Sequence, residues 1–339
     1  MSEPTVLAIV LNYRTPELTI KATAAALREM QGINGEIIVV DNGSEDDSCA
    51  LISAAIDRNG WGVDGRVSLA PSGRNGGFGA GNNFGIRQGL SNGKIPDFYY
   101  ILNSDAWPER GAIRALLKVM QDDKRAGIVG SFIRGADGPP HQTAFRFPSI
   151  AGEFEGAVRT GVVSRLLKDS IVPMPIPSEL TRVDWVAGAS ALLRRRMLEE
   201  IGLFDETFFL YFEETDLCRR AAQAGWHTLY APASEVVHVG SVSTGMRTWA
   251  RTPQYWFDSR RHYFVKNHGR AYAVGATVAR IAGAALWRVR VALSSRALGD
   301  PPHFLRDLTI HALRGVFRRD VSKSAATLPQ LTTKDVNNV

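Results

Sequence analysis

The chain has 339 residues, of which 45% are apolar and 22% charged, and its formal net charge is +6. This composition is that of an ordinary globular protein and argues against wholesale disorder, and the length permits one large core or two modest ones. The only cysteines, Cys49 and Cys218, are far apart in the sequence. A disulfide framework or a zinc site is therefore not expected, and a reducing cytoplasm fits best.

The first apolar run, VLAIVL, lacks the basic flank and the cleavage site of a signal peptide. We interpret it as a first strand. The sequence contains no run of eighteen uncharged apolar residues, so a conventional transmembrane span is not expected either.

The positive charge is concentrated near the C-terminus. Residues 246–320 contain 14 Arg or Lys against 4 Asp or Glu, a local charge of +10, which leaves −4 for the rest of the chain. Such a block predicts an anionic partner, either phospholipid or nucleic acid. No recognised nucleic-acid-binding module occurs there, so a membrane surface is favoured over nucleic acid. Residues 321–339 are polar and are predicted to form a flexible tail.

The first 130 residues alternate short apolar runs with segments of helical spacing, which is typical of a parallel sheet covered on both faces. Because ligands of such sheets bind outside the carboxyl ends of the strands, the loops that follow the strands are candidate sites. The predicted strands are Val6–Leu11, Glu36–Val40, Arg66–Ala70, Phe98–Leu102 and Ala126–Gly130, and the predicted helices include Leu18–Met30 and Arg110–Gln121.

The segment 135–182 contains six prolines and shows no clear period, so it is predicted to be a long irregular connection. Regular structure is expected to resume with VDWVAGASALLRR. The later predicted elements are helices near Arg195–Ile201 and after Glu213, strands near Thr228–Tyr230 and Glu235–His238, and helices from Thr252 onward.

Polar residues follow the first two predicted strands. Asn12, Tyr13 and Arg14 come after the first strand, and Asp41 and Asn42 after the second. An aspartate at a strand end can accept the N3–H of uracil or thymine, and Tyr13 can offer its ring to such a base. Asp41 is equally typical of a turn or a helix cap. The residues alone leave both interpretations open.

A glycine-rich loop, Asn75–Asn83, follows the third predicted strand. Glycine permits positive φ and close approach of backbone to a ligand, and a following helix N-terminus favours anionic groups. The loop differs from a dinucleotide fingerprint because it does not follow the first strand and because Asn82 replaces the last glycine. A nucleotide-dependent oxidoreductase is therefore disfavoured. The alternative for this loop is a flexible turn.

The fourth predicted strand ends in Asn103, Ser104 and Asp105. A carboxylate at the end of a buried strand is well placed to hold Mg²⁺ or Mn²⁺, which take oxygen ligands from one or two carboxylates and from substrate phosphates. Asp105 could instead cap a helix.

The sequence FFLYFEETD places two adjacent carboxylates, Glu213 and Glu214, directly after an aromatic segment. Acidic residues in a first helical turn commonly serve the helix dipole. Apolar surroundings and a like charge nearby, however, both raise a carboxyl pKa and suit a general base. His238, at the end of a later predicted strand, is a candidate for a metal or phosphate role, or for a structural one.

Together these residues resemble the family-2 glycosyltransferases of the GT-A fold, particularly their bacterial rhamnosyltransferase-like branch. The matching segments are LNYR, VVDNGS, NGGFGAGNN, LNSDA, VDWVAGASALLRR, GLFDETFFLYFEETDLCRRAAQAGW and HVGSVS, which appear in family order over about residues 5 to 245. The resemblance implies an α/β fold with a Rossmann-like, mostly parallel sheet flanked by helices. It also implies a catalytic domain over residues 1–245, divided at about residue 130 into a nucleotide-sugar half and an acceptor-side half.

The resemblance implies an inverting transfer from a nucleotide-diphosphate sugar. Asp105 would be the metal-binding end of the family's DxD-type motif, in which Asn103 replaces the first Asp, and His238 would lie near the metal and the diphosphate. The donor would contact residues of all four loops: Asn12, Tyr13, Arg14, Asp41, Asn42, Asn75, Gly77, Phe78, Asn82, Asn103 and Ser104.

The catalytic base and the acceptor-side residues follow from the same resemblance. Glu214 stands where the family has an Asp that deprotonates the acceptor hydroxyl, and this change leaves Glu213 as an alternative base. Asp184, Trp185 and Gly188 belong to the acceptor-side segment.

The expected donor is dTDP-rhamnose, with a UDP-hexose as the alternative. A saccharide or a polyprenyl-linked saccharide is the expected acceptor, in the synthesis of a bacterial cell-surface polysaccharide. A non-catalytic binding protein of the same fold is the competing class, and retention of Asp41, Asp105 and Glu214 argues against it.

The basic segment is also rich in aromatic residues and contains the nearly apolar stretch Ala271–Trp287. Aromatic side chains with clustered arginines are typical of helices that lie at a membrane interface. We therefore expect a peripheral enzyme on the inner face of the cell membrane. The alternatives are helices packed on the catalytic domain or in a homodimer interface.

Overall fold

The fold was analysed in a computed structural model that describes residues 3–136, 138–240, 250–293 and 299–316. Its centre is a nine-stranded mixed sheet, with a separate two-stranded sheet beside it. The strands are β1 (Thr5–Asn12), β2 (Asn34–Asp41), β3 (Val67–Pro71), β4 (Phe98–Asn103), β5 (Ala106–Pro108), β6 (Ala126–Arg134), β7 (Ala144–Phe145), β8 (Thr181–Val183), β9 (Trp185–Val186), β10 (Ser190–Arg194) and β11 (His227–His238).

Helices cover the sheet and continue beyond it. They are α1 (Pro16–Glu29), α2 (Ser48–Arg58), α3 (Phe78–Gln88), α4 (Ala112–Asp122), α5 (Ile150–Val158), α6 (Gly161–Leu166), α7 (Arg195–Ile201), α8 (Glu213–Gln223), α9 (Gln254–His268), α10 (Arg270–Ala292) and α11 (Phe304–Val316), with short 3₁₀ turns at Val63–Gly65 and Lys168–Ser170. The predicted tail, residues 321–339, lies outside the described residues.

The sheet order is β3-β2-β1-β4-β10-β6-β11-β5, and β8 pairs with β11. Strands β1 to β4 are parallel, as is the pair β6 and β11, whereas β10 runs antiparallel between β4 and β6. Apolar side chains on both faces form two buried cores, one under α1, α2 and α4 and the other under α3, α7 and α8. The predicted GT-A fold, a mostly parallel sheet flanked by helices, is thus confirmed, and each of the five strands predicted in the first 130 residues is present.

Three predictions of local structure were wrong. The glycine-rich loop is shorter than expected because α3 begins at Phe78, so that Asn82 is helical and fully buried. The segment 135–182 contains α5 and α6, and Ser149 caps α5 by accepting a hydrogen bond from Gly152 N–H. The two strands predicted between Thr228 and His238 are one strand, β11, whose pairing with β6 is interrupted by a bulge.

Helices α9 and α10 pack on helices α8 and α5. Gly283 of α10 approaches α5 so closely that a Cβ there would lie 2.7 Å from the Phe154 carbonyl oxygen. Arg260 of α9 and Glu153 of α5 form a buried ion pair, with 3.0 Å between guanidinium and carboxylate. Among the described helices, none is long and apolar enough to cross a membrane.

Candidate active site

The first two loops are joined by a buried polar network. Parallel pairing of β1 and β2 places Asn12 opposite Asp41, and Asn12 Nδ2 donates to Asp41 Oδ1 over 2.7 Å. The hydroxyl and the backbone N–H of Ser44 also donate to this carboxylate. Arg14, with a left-handed φ of 56°, donates to Ser44 through its backbone N–H and its side chain. Asp41 is thus only 3% exposed and already holds three donors. A contact of Asp41 with a pyrimidine remains a prediction.

The third loop is tied to the second and to the segment before α8. Asn42 Nδ2 donates to Asn75 Oδ1 and to the Gly77 carbonyl, over 3.2 and 3.1 Å. Gly77 has a φ of +86°, and a Cβ there would lie 1.7 Å from the Phe209 carbonyl oxygen. That oxygen accepts a hydrogen bond from Phe78 N–H. Glycine is therefore required at residue 77, because of the positive φ and because a Cβ would clash with the Phe209 carbonyl.

The fourth loop brings Asp105 to His238. Short β5 pairs with the end of β11 so that His238 lies opposite Ala106, and His238 Nε2 is 3.1 Å from Asp105 Oδ1. Gly240 N–H donates to Asp105 Oδ2, also over 3.1 Å. Burial raises the pKa of the Asp105 carboxyl, but the hydrogen bonds from His238 and Gly240 outweigh burial, and the net pKa lies below its usual value. Asp105 is therefore ionised at neutral pH.

A cavity of about 440 Å³ joins this pair to the acidic start of α8. Asp105 and His238 line it, as do Glu213 and Glu214, and Gly188 lies in its wall. The residues predicted as the base, the metal site and part of the acceptor side therefore line one cavity.

Glu213 and Glu214 follow an unusual turn. Tyr211 and Phe212 both have left-handed φ angles, 70° and 69°, in residues that are not glycine. Such backbone costs roughly 1–3 kcal/mol per residue and is concentrated at functional sites. The turn aims the first residues of α8 at the cavity.

The environment of the two glutamates favours their neutral forms. Burial, followed by the charge of Glu214, raises the pKa of Glu213 well above its usual value, and burial raises the pKa of Glu214 to about 7. Within the described part of the chain, one oxygen of each carboxyl group, Oε2, is buried without a hydrogen-bond partner. A carboxyl group whose pKa lies near neutral pH, and which has an oxygen without a hydrogen-bond partner, suits a general base.

A second cavity, of about 180 Å³, opens among the four strand-end loops. Tyr13, Asn42, Asn103 and Ser104 line it, and Tyr255 of α9 closes one side. Gly77, Phe78 and Asn75 of the third loop also line it. This cavity brings together most of the predicted donor-binding residues.

The remaining predicted residues have structural contacts. Asp184 Oδ2 accepts from Phe147 N–H over 2.7 Å, and Trp185 stacks on Phe145 with ring centroids 4.0 Å apart. Asn82 donates to the carbonyl of Phe78 within α3. The acceptor role of Asp184 and Trp185 and the donor role of Asn82 stay predictions.

Sequence reasoning missed two residues of the site. His141, in the segment expected to be irregular, lies in the larger cavity with its ring centroid 6.0 Å from that of His238. Tyr255, in the basic segment that is rich in aromatic residues, lies in the smaller cavity. No motif marks either residue, because each reaches its cavity from a distant part of the chain.

The polar groups of the larger cavity fit a divalent cation that is completed by substrate. The described residues contain no cluster of three or more His, Cys, Asp and Glu side chains able to enclose a metal alone. One ionised carboxylate and one imidazole nevertheless face an open cavity, and Asn103 Nδ2 lies 3.5 Å from His238 Nε2. A cation such as Mg²⁺, which keeps several water ligands and binds substrate phosphates, needs only one or two ligands from the protein.

The sheet topology, with the candidate site at the strand ends, is that of the GT-A fold. The sequence matches the profile of glycosyl transferase family 2 over residues 5–202, more than half of its length. The chain therefore belongs to glycosyl transferase family 2, and the predicted family is confirmed.

Named relatives extend this assignment. The chain is similar to N-acetylglucosaminyl-diphospho-decaprenol L-rhamnosyltransferase of Mycobacterium tuberculosis, with 32% identity over 62% of this chain and 68% of the relative. It is also similar to rhamnosyltransferase WbbL of Escherichia coli, with 26% identity over 48% of this chain and 60% of the relative. Among solved structures, a mannosyltransferase of Pyrobaculum calidifontis in complex with GDP-Man and Mn²⁺ superposes with a TM-score of 0.53 at 15% identity, over 94% of this chain and 89% of that chain.

Proposed function

We propose that this chain is an inverting glycosyltransferase that moves L-rhamnose from dTDP-rhamnose onto a lipid-linked saccharide in the synthesis of a bacterial cell-surface polysaccharide. The observation that carries this proposal is the single cavity shared by Glu213, Glu214, Asp105 and His238. It offers a base and a leaving-group site to one bound sugar. The names of the two bacterial relatives support rhamnose as the sugar.

The reaction is a single displacement. The Glu214 carboxylate takes the proton of an acceptor hydroxyl, the acceptor oxygen bonds to the anomeric carbon, and the bond from that carbon to the diphosphate oxygen breaks. The electron pair of that bond leaves with the nucleoside diphosphate. Attack from the face opposite the leaving group inverts the anomeric configuration.

The proposed cofactor is Mg²⁺ or Mn²⁺, held by Asp105 and His238. When bound, it would neutralise negative charge on the diphosphate. The Mn²⁺ named with the mannosyltransferase neighbour supports a divalent cation for this fold. The backbone N–H of Gly240 donates to Asp105 and orients its carboxylate, and the Asn103 side chain lies beside the same position.

We further propose that the enzyme works at the inner face of the cell membrane, where a polyprenyl-linked acceptor would be presented. Although α10 packs on α5, its outer face exposes apolar side chains among arginines. Val274, Val278, Leu286 and Val289 are each more than half exposed. A helix with such a face can lie in the headgroup region, with arginines on anionic lipid.

The function is tested by offering the purified chain a panel of nucleotide sugars and measuring nucleotide release with an N-acetylglucosaminyl-diphospho-polyprenol acceptor. We expect turnover with dTDP-rhamnose, dependent on Mg²⁺ or Mn²⁺, and a product of inverted anomeric configuration by NMR. Turnover with a UDP-hexose alone would replace the proposed donor. No turnover with any nucleotide sugar would contradict the proposed enzyme class.

A further inference from the structure

Helix α9 lies against the segment that carries the proposed base. The Ser259 hydroxyl donates to the Leu210 carbonyl over 3.0 Å. The ring of Tyr255 contacts that of Phe209, with centroids 5.4 Å apart, and lies nearly parallel to that of Tyr211 at 6.3 Å. Leu210 lines both cavities. One turn of α9 therefore supports the wall between the two cavities.

A buried ionic cluster fixes α9 in this position. Lys266 Nζ lies 2.8 Å from Asp205 Oδ2 and 2.8 Å from Asp216 Oδ2. His262 Nε2 lies 3.0 Å from the same oxygen of Asp205, and Asn267 donates to Asp216 over 3.1 Å. The two aspartates are 2% and 0% exposed. Because moving α9 away would leave these buried carboxylates without their partners, the cluster favours the observed position of α9.

The smaller cavity has contributors from every strand-end loop. The first loop contributes Tyr13, the second Asn42, the third Gly77 and the fourth Ser104. Tyr255 joins them from far beyond residue 202, where the family match ends. A cavity at the carboxyl ends of the strands is where such a sheet receives its nucleotide.

We infer that Tyr255 is a donor-binding residue, whose ring contacts the nucleoside of a bound pyrimidine nucleoside diphosphate. The inference rests on the proposed function for the class of donor. An aromatic ring offers a flat apolar face to a nucleoside, and stacking of this kind is lost when the ring is truncated. The C-terminal segment is thus part of the donor site as well as a candidate membrane contact.

The test is calorimetric titration of the full-length protein with dTDP and with UDP, each in the presence of Mg²⁺. Tyr255→Ala is expected to weaken nucleotide binding roughly 5- to 100-fold. Tyr255→Phe, which keeps the ring, is expected to bind like the wild type. Gln254→Ala is the matched control, since this neighbouring side chain is exposed on the same helix.

Tyr255→Leu keeps an apolar side chain without an aromatic face, and it provides a second test if the alanine variant misfolds. Weakened binding by a Tyr255→Leu protein with wild-type thermal unfolding would support the inference. Wild-type affinity in both Tyr255→Ala and Tyr255→Leu would overturn it and leave the proposed function intact. A wild-type protein that binds neither nucleotide would overturn the donor class and the inference with it.

Discussion

Replacing Glu214 by glutamine is expected to stabilise the fold above neutral pH while removing activity. Burial raises the pKa of Glu214 to about 7 from an ordinary value of 4.5. Because each pKa unit corresponds to about 1.4 kcal/mol, the ionised carboxylate disfavours the fold by as much as about 3 kcal/mol at pH 8. Solvent screening reduces this free-energy cost, since the Glu214 side chain is only partly buried.

The sign of the pH dependence follows from the raised pKa. Below pH 4.5 the Glu214 carboxyl group is neutral in both the folded and the unfolded chain, and the fold keeps the full stability that this neutral group allows. That contribution to the free energy of unfolding is lost as the pH rises through about 7. The wild-type free energy of unfolding should therefore fall between pH 5 and pH 8, and that of Glu214→Gln should fall less. Urea unfolding followed by circular dichroism measures both, with the exposed Glu179→Gln as control.

Although Glu214→Gln is expected to stabilise the fold, it is expected to lower activity. Loss of a general base typically lowers turnover by ~10²–10⁴, and donor affinity should stay within a few-fold because the proposed partner of Glu214 is the acceptor hydroxyl. Wild-type turnover should rise with pH toward 7 as Glu214 ionises. Retained turnover in Glu214→Gln with loss in Glu213→Gln would move the base by one residue. Retained turnover in both variants would refute the carboxylate mechanism.

Three further outcomes follow from the structure. Asp105→Ala should abolish the response to Mg²⁺ or Mn²⁺ and weaken dTDP binding, and equal calorimetric binding by the wild type with and without metal would contradict the metal site. Gly77→Ala should destabilise the protein and weaken nucleotide binding more than Gly73→Ala, because both glycines have positive φ but only residue 77 meets the Phe209 carbonyl; equal urea midpoints would contradict the clash. The double variant Val278→Glu, Val289→Glu should lose co-sedimentation with anionic vesicles while keeping turnover on a soluble acceptor, whereas Leu51→Glu, an exposed apolar site on α2, should not. Wild-type binding that persists with neutral vesicles or in high salt, or no wild-type binding at all, would reject the membrane contact, and a shift from dimer to monomer in the double variant would assign the face to a homodimer.

The sheet and the strand-end loops were predictable because they rest on local patterns. Buried strands are continuous apolar runs, and polar residues such as Asn12, Asp41 and Asp105 must then occupy the strand ends. Helix α5 was not predicted because the prolines on either side of it are typical of an irregular segment. Its own sequence, IAGEFEGAV, contains no proline and begins after a capping serine.

What could not be predicted depends on contacts between distant segments. The basic segment was expected to lie on a membrane, since its aromatic residues and arginines fit an interface. Tyr263 and Arg260 of this segment are buried, which fits the alternative of packed helices, whereas apolar side chains on the outer face of α10 stay exposed. Aromatic and cationic residues occur both at membrane interfaces and in contacts between packed helices. The periodicity of the sequence does not distinguish these two environments. The carboxylate partners of Arg260 and Lys266 lie 50 to 107 residues away in the sequence, which no local pattern reveals.

The cluster of Lys266, Asp205 and Asp216 also constrains how the sequence can change. Removing the lysine would leave Asp205 with His262 and Asp216 with Arg220, but it would remove the cation that joins the two aspartates to α9. Removing either aspartate would weaken the same docking of α9. Substitutions at these three residues are therefore expected to be coupled, and a chimera that exchanges only the C-terminal helices would have to keep a cation opposite Asp205 and Asp216.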